Sequence, residues 1–317
     1  MLNITEIYPI FWFAIFIFAF ILTPLARTLA TRHQIIDKPG KDSLKIHNVP
    51  IPLCGGLVII LCLLISFVLL FILGRVNPQE ISFFSYMIIC SFFIFSTGFW
   101  DDIKDINPIA RLGIYAVIAL FIVTAGIKLE IVPFNFFNIL LTLFYIIGAI
   151  NAFNVIDGMD GLCVGLSIIA CLGFFMIGLM KGDALLIVMS SILTLSLLGV
   201  LPYNFYPARI FIGNAGSSLL GFLLGVMTVR ATPSFPGYFD FFLPIFFVFI
   251  PIFDMAFAII RRIIFNKPIF SGDRDHIYDL LLKRGWSQPK VWAALCGVQV
   301  LFVLAGLQIL ETVIKPC

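Results

Sequence analysis

Long runs of apolar residues, broken by short polar stretches, repeat along nearly the whole chain. A helix needs about 20 mainly apolar residues to cross a bilayer. The polar breaks delimit ten runs of this kind, at about 8–30, 53–73, 83–100, 112–127, 134–152, 162–180, 184–202, 217–229, 241–260 and 291–313. The fourth and eighth are short for a crossing. The first, Tyr8 to Leu29, follows only one charged residue, Glu6, and is too long for a signal-peptide core, so it is expected to stay as a span. The pattern predicts an all-α, polytopic transmembrane bundle of about ten spans, one integral-membrane domain over residues 1–317 with both termini on the same side.

Composition excludes a soluble domain: the 317 residues are 61% hydrophobic and 12% charged, where soluble domains are about 25% charged. The positions of the charges add an orientation. Of the 20 Lys and Arg residues, Arg75, Lys128, Lys181, Arg230 and Lys315 fall in one set of alternate loops and the termini, and Arg27 lies in the first span. The rest crowd the loops 31–52, 101–111, 153–161, 203–216 and 261–290. Dropping either short run would mix the two loop classes. Positive charge marks cytoplasmic loops, so this set is expected in the cytoplasm and the termini in the periplasm. Asp37, Asp42, Asp101, Asp102, Asp105, Asp157, Asp160, Asp273, Asp275 and Asp279 share that face, which puts any chemistry on the cytoplasmic side. The seven cysteines show no metal-type spacing and read as core filler.

Five polar stretches carry candidate chemistry. In "FWDDIKDINPIARL", Asp101 and Asp102 leave the third span side by side, with Asp105 about a turn further on. Adjacent carboxylates in a partly dry place raise each other's pKa unless a cation holds them, and Mg²⁺ takes such oxygens. In "NAFNVIDGMDGL", Asn151, Asn154, Asp157 and Asp160 recur every three residues, one stripe if helical, and Gly158 and Gly161 leave room beside each acid. Polar groups on one stripe at the end of an apolar span are functional by default. "KIHNVPIPLCGG" brings Lys45 and His47 to a Gly-rich helix start, a candidate phosphate seat. "DRDHIYDLLLKRG" offers Arg274 and His276, donors suited to diphosphate oxygens. "FIGNAGSSLLG" interrupts the apolar pattern with Phe211, Asn214 and small residues. Asp254, inside the ninth span, reads as the structural partner of a nearby cation, or as the relay acid of a transporter.

These stretches, in this order and on one face, resemble the polyprenyl-phosphate N-acetylhexosamine-1-phosphate transferases, the WecA-like branch more closely than the MraY type. The resemblance runs from about residue 37 to 290. It implies a bacterial inner-membrane enzyme that uses Mg²⁺, with Mn²⁺ a permitted substitute. Its substrates would be a UDP-N-acetylhexosamine and undecaprenyl phosphate, drawn from the bilayer, and its product the lipid-linked sugar diphosphate that starts an O-antigen or related glycan. No nucleic-acid partner is expected, and a homodimer is compatible. Carried over by position, the resemblance implies catalytic roles for Asp101, Asp102 and Asp157, with Asp101 the better placed for the lipid phosphate. Asp102, Asp157 and Asn214 would hold the metal, Asp160 would lie near uracil, and Phe211 would stack on it. Lys45, His47, Asn151, Asn154, Arg274 and His276 would bind substrate.

Two positions depart from the family pattern. Asn214 stands where the family has Asp, an expected Mg²⁺ ligand; a neutral amide oxygen ligates Mg²⁺ more weakly. His276, Ile277, Tyr278 and Asp279 stand where the family reads HIHH, and Asp279 is expected to restore some negative charge if the loop folds over the site. The alternative they leave open is a metal-impaired or regulatory protein of the same fold.

Overall fold

The computed structural model describes residues 9–39, 46–75, 78–232, 243–268 and 273–314. Each apolar run contains a helix: α1 Pro9–Arg32, α2 Gly55–Ile72, α3 Pro78–Ile103, α4 Pro108–Thr124, α5 Asn135–Ile156, α6 Leu162–Lys181, α7 Ala184–Asn204, α8 Gly213–Ala231 and α9 Phe249–Ile264. A short α10, Ile277–Lys283, and a last long helix, α11 Gln288–Ile314, complete the chain. Among the described residues, seven helices (α1, α2, α3, α5, α6, α7 and α11) are long and apolar enough to cross a membrane. The chain is therefore a mostly helical, multi-pass membrane protein. The all-α expectation gains one small exception, a two-stranded antiparallel ribbon of β1 Ile36–Asp37 and β2 Ile51–Pro52.

The short eighth run turns out to be the core of the bundle. Nearly every residue of α8 is buried, from Gly213 to Ala231, and α2, α3 and α5 pack around it. Its Gly and Ser positions depress its apolar character for a packing reason, since small residues let backbones close on one another inside a membrane. A Cβ at Gly56 of α2 would lie 2.5 Å from the Gly216 nitrogen, and one at Gly98 of α3 would lie 2.5 Å from the Asn214 carbonyl oxygen.

The ninth run is not one continuous helix. A 3₁₀ turn over Leu243–Val248 precedes α9, with Pro244 and Pro251 flanking the junction. Pro lacks the N–H that would continue the ladder, and backbone groups freed at membrane depth must find a partner. Gln299 of α11, fully buried, supplies both kinds. Its Oε1 accepts from the Ile250 N–H at 3.0 Å, and its Nε2 donates to the carbonyls of Phe246 and Phe247 at 3.0 and 2.9 Å. Cys54, Cys62, Cys90, Cys163, Cys171 and Cys296 are all free and buried, as core filler should be.

Candidate active site

The polar breaks converge at one end of the bundle. The C-terminal ends of α3 and α5, the N-terminus of α8 and the 46–53 segment enclose a cavity of about 390 Å³. Backbone bonds stitch the last two together: the Phe211 N–H donates to the Pro52 carbonyl (2.9 Å), and the Cys54 N–H to the Phe211 carbonyl (3.1 Å). Asp37, Asp101, Asp102, Asp105, Asp157 and Asp160 all line the cavity, and its described lining contains no Lys or Arg.

Asp102 sits where α3 ends and α8 begins. Its Oδ1 accepts from the Asn214 N–H at 2.7 Å and its Oδ2 from the Ala215 N–H at 3.1 Å, so the carboxylate caps the positive end of α8. Gly213, at φ +70°, makes the approach possible: a Cβ there would lie 2.6 Å from Asp102 Oδ2. Asp101 is buried, pairs with Arg111 and accepts from the Ile106 N–H at 2.8 Å. Asp105 lies past the end of α3, not one helical turn along it.

The stripe of four polar residues is broken. Helix α5 stops at Ile156, where Gly158 is a poor helix former, and the left-handed Gly161 (φ +71°) then starts α6. Asp157 and Asp160 therefore sit on a loop. Among the described residues no donor or cation contacts the Asp157 carboxyl; burial, then the like charges of Asp102 and Asp160, push its pKa well above the usual range. Burial also raises Asp160, against the pull of the Ala208 N–H it accepts at 2.9 Å. Asn154 donates to Asn214 Oδ1 at 2.7 Å and to Ser217 Oγ at 3.2 Å. Asn151 turns back on its own helix, donating to the Ile147 carbonyl at 2.8 Å, and faces a different cavity.

That second cavity, of about 840 Å³, runs between α4, α5 and α9. Its walls are apolar, with Leu112, Leu141, Phe144, Ile252, Met255 and Ile259, and its far end is polar, with Arg111, Asn154, Arg262, Asp273, His276 and Tyr278. Asn154 lines both cavities. Asp273 is gripped by Arg261 (2.8 Å) and Arg262 (3.1 Å); burial acts to raise its pKa, but the two guanidiniums outweigh it and bring it to about 2.

The remaining sequence-derived positions divide. Phe211 lines the acid cavity beside His47, ring centroids 5.2 Å apart and edge to face. His47 itself is engaged on both nitrogens, Nδ1 with the Val49 carbonyl (2.8 Å) and Nε2 with Asp37 (3.0 Å). Lys45 lies outside the described residues. Arg274 lines neither cavity and donates to Asp279 at 3.2 Å. Asp279 is buried and does not face the acid cavity, so the negative charge expected from it is spent on Arg274. Asp254 does partner a neighbour, but the neighbour is His276, with Nδ1 to Oδ2 at 2.8 Å, while Arg261 turns to Asp273. Two residues escaped sequence reasoning. Arg111 looked like one more loop charge. Asn204 lines the acid cavity with a buried Oδ1 that has no partner, its Nδ2 bonded to the Ile210 carbonyl at 3.0 Å; nothing in its local pattern marks it.

The cavity's chemistry fits a hard cation. No three His, Cys, Asp or Glu side chains among the described residues converge as a ready-made metal shell, and Asp102 and Asn214 are already hydrogen-bonded. Mg²⁺ does not require such a shell: it is usually held by one or two carboxylates plus waters and substrate phosphates. The surplus of lining carboxylates and the uncompensated Asp157 suit it.

Known proteins are similar to this chain in the same region. Residues 84–232, from α3 to α8, match the family model for glycosyl transferase family 4. A probable undecaprenyl-phosphate N-acetylglucosaminyl 1-phosphate transferase of Bacillus subtilis (strain 168) is 32% identical over 276 residues, covering 84% of this chain and 75% of the relative. The chain belongs to glycosyl transferase family 4. A second relative, the undecaprenyl-phosphate alpha-N-acetylglucosaminyl 1-phosphate transferase of Thermotoga maritima, is 31% identical over 92% of this chain and 87% of its own. The decaprenyl-phosphate N-acetylglucosaminephosphotransferase of Mycobacterium leprae (strain TN) is 29% identical over 87% and 77%. The family 4 match contains all the acids of the cavity except Asp37, together with Arg111, Asn204, Phe211 and Asn214.

Proposed function

We propose that this chain transfers N-acetylhexosamine-1-phosphate, by default GlcNAc-1-phosphate, from a UDP-sugar to undecaprenyl phosphate. UMP is released, and the lipid-linked product starts a cell-surface glycan such as O-antigen. The observation that carries this is the meeting of two unlike cavities at Asn154: one polar and lined with acids, the other apolar with a cationic end. A nucleotide sugar suits the first. An apolar chain with an anionic head suits the second. The names of the relatives, which pair a polyprenyl phosphate with N-acetylglucosaminyl 1-phosphate transfer, support the same pairing.

In this reading Arg111 and Arg262 receive the acceptor's phosphate at the polar end of the groove. Asp101, paired with Arg111, holds that guanidinium between the two cavities. Phe211 supplies a face for uracil beside His47, in the cavity that Asn204 also lines. Asp160 bonds the Ala208 N–H and so fixes the loop below. A phosphate oxygen of the acceptor attacks the β-phosphorus; the bond from that phosphorus to the bridging oxygen breaks, and UMP leaves with the electron pair. Asp102 and Asp157, with the Asn214 amide, would hold Mg²⁺, which when bound would neutralise charge on the donor diphosphate. Asp102 also ties this position to the α8 N-terminus, keeping the polar groups in place before substrate arrives.

The charge distribution supports ten crossings of the bacterial cytoplasmic membrane with the site facing the cytoplasm and both termini in the periplasm. The test of function is a donor screen: purified protein, undecaprenyl phosphate, Mg²⁺ and a panel of UDP-N-acetylhexosamines, read by mass spectrometry of the lipid. A mass matching a polyprenyl diphosphate sugar is expected for at least one donor. No such lipid from any donor, while a relative works in the same mixture, would contradict the reading.

A further inference from the structure

Tyr278 is one of the positions where this chain departs from the HIHH pattern, a phenol in place of an imidazole. It is the second residue of α10 and only 6% exposed. It lines the apolar groove at the polar end. Its hydroxyl lies against Gly158, where any Cβ would overlap it, and Gly158 and Asp157 line the acid cavity. The phenol thus stands in the wall between the two cavities. Among the described residues its hydroxyl has no hydrogen-bond partner, and a phenol at neutral pH keeps its proton to donate.

The ring is held from behind. It stacks on His276, centroids 5.9 Å apart and planes 13° from parallel. His276 is fixed in turn by Asp254, itself 1% exposed in α9, which also accepts from the Ile277 N–H at 2.7 Å through its second oxygen. The other ring nitrogen of His276 lies 3.6 Å from Asp273. A carboxylate buried in an apolar helix is costly unless it is bonded, and here both of its oxygens are used to set one histidine and the start of α10. The orientation of Tyr278 is the consequence.

We propose that the Tyr278 hydroxyl donates a hydrogen bond to the phosphate of the acceptor lipid where the apolar groove meets the acid cavity, and that Asp254 is a positioning residue that holds Tyr278 there through His276. This rests on the groove being the acceptor's seat. Tyr278→Phe removes the hydroxyl and keeps the stacked ring. A hydrogen bond to a charged group supports a fall of at least about tenfold in kcat/KM for undecaprenyl phosphate, with KM for the UDP-sugar within about twofold. Asp254→Asn should lower the same parameter, and in a Tyr278→Phe background it should add little, because both act on one contact; a merely structural role would add its full loss to the first.

Direct binding keeps the two readings separable. Full-length protein in detergent is titrated with undecaprenyl phosphate and with undecaprenol, which lacks the phosphate. The wild type should prefer the phosphate, and Tyr278→Phe should lose about tenfold of that preference. If the wild type makes no lipid-linked sugar yet shows this phosphate preference and its loss, the transferase reading fails and the Tyr278 contact stands. If Tyr278→Phe binds and turns over the phosphate lipid as the wild type does, the proposal is overturned.

Discussion

Replacing Asn214 by Asp asks most of the acid cavity. The two side chains have the same shape, so the oxygen that accepts from Asn154 at 2.7 Å stays in place, and only the amide nitrogen becomes a second, charged oxygen. The new charge lies beside Asp102, which holds the backbone N–H of residue 214 itself at 2.7 Å. Two unit charges about 4 Å apart interact by about 4 kcal/mol at an effective dielectric of about 20, and a third of that is already a tenfold change in an equilibrium constant. In EDTA the charge is a like-charge burden: Asn214→Asp should destabilise the protein by about 1 to 3 kcal/mol, a drop of a few degrees in Tm. With Mg²⁺ the sign reverses, since binding to the native state alone stabilises it. The Mg²⁺ concentration for half-maximal thermal protection should fall by about tenfold or more, and that for half-maximal turnover with it. Thermal unfolding of detergent-solubilised protein over a Mg²⁺ series reads the first effect without any activity. An unchanged Mg²⁺ midpoint in the variant would refute the placing of a cation beside Asn214.

Three further outcomes follow from other contacts. Asp157 has a raised folded pKa, so in EDTA its own contribution to stability is fully present below the unfolded carboxyl value of about 4 and is lost as pH rises from there through the folded value. Asp157→Asn should therefore raise Tm in EDTA at pH 7 and flatten that decline while abolishing turnover; a lower Tm would count against the burden. Gly213→Ala forces a Cβ to within 2.6 Å of Asp102 Oδ2 at a φ of +70°, and should cost about 1 to 3 kcal/mol with a matching loss of turnover; a native Tm would show that the α8 cap tolerates displacement. Gln299→Leu strips partners from Ile250, Phe246 and Phe247 at the break before α9, and a loss of about 2 to 4 kcal/mol is expected from the buried groups left unpaired; denaturation in detergent checks it.

Which helices form was readable from apolar periodicity alone, because a bilayer demands unbroken runs of fixed length and satisfied backbones. How they are used was less so. The weak apolar signal of α8 came from the Gly and Ser that let it sit at the centre, so the same residues that blurred the helix mark its role. Pro244 and Pro251 mark the break at Val248 locally, but its partner, Gln299, lies some 50 residues away and no local pattern announces it. In the site, acids at the ends of α3 and α5 were legible because charge at a span end is expensive. The facing of each was not: three-residue spacing put Asn151 and Asp157 on one stripe, whereas the helix ends between them. Arg111 and Asn204 gained meaning only from their distant neighbours, and Asp279 is paired with Arg274 instead of lining the acid cavity.

The central claim is that the sugar moves together with its phosphate onto a lipid phosphate. UDP-GlcNAc labelled with ³²P in the β-phosphate, incubated with the purified protein, undecaprenyl phosphate and Mg²⁺, tests this most directly. The label should pass to the lipid phase with one UMP formed per labelled lipid. A lipid that gains sugar while the label stays in UDP, or no labelled lipid under conditions where the Thermotoga maritima relative makes one, would contradict it.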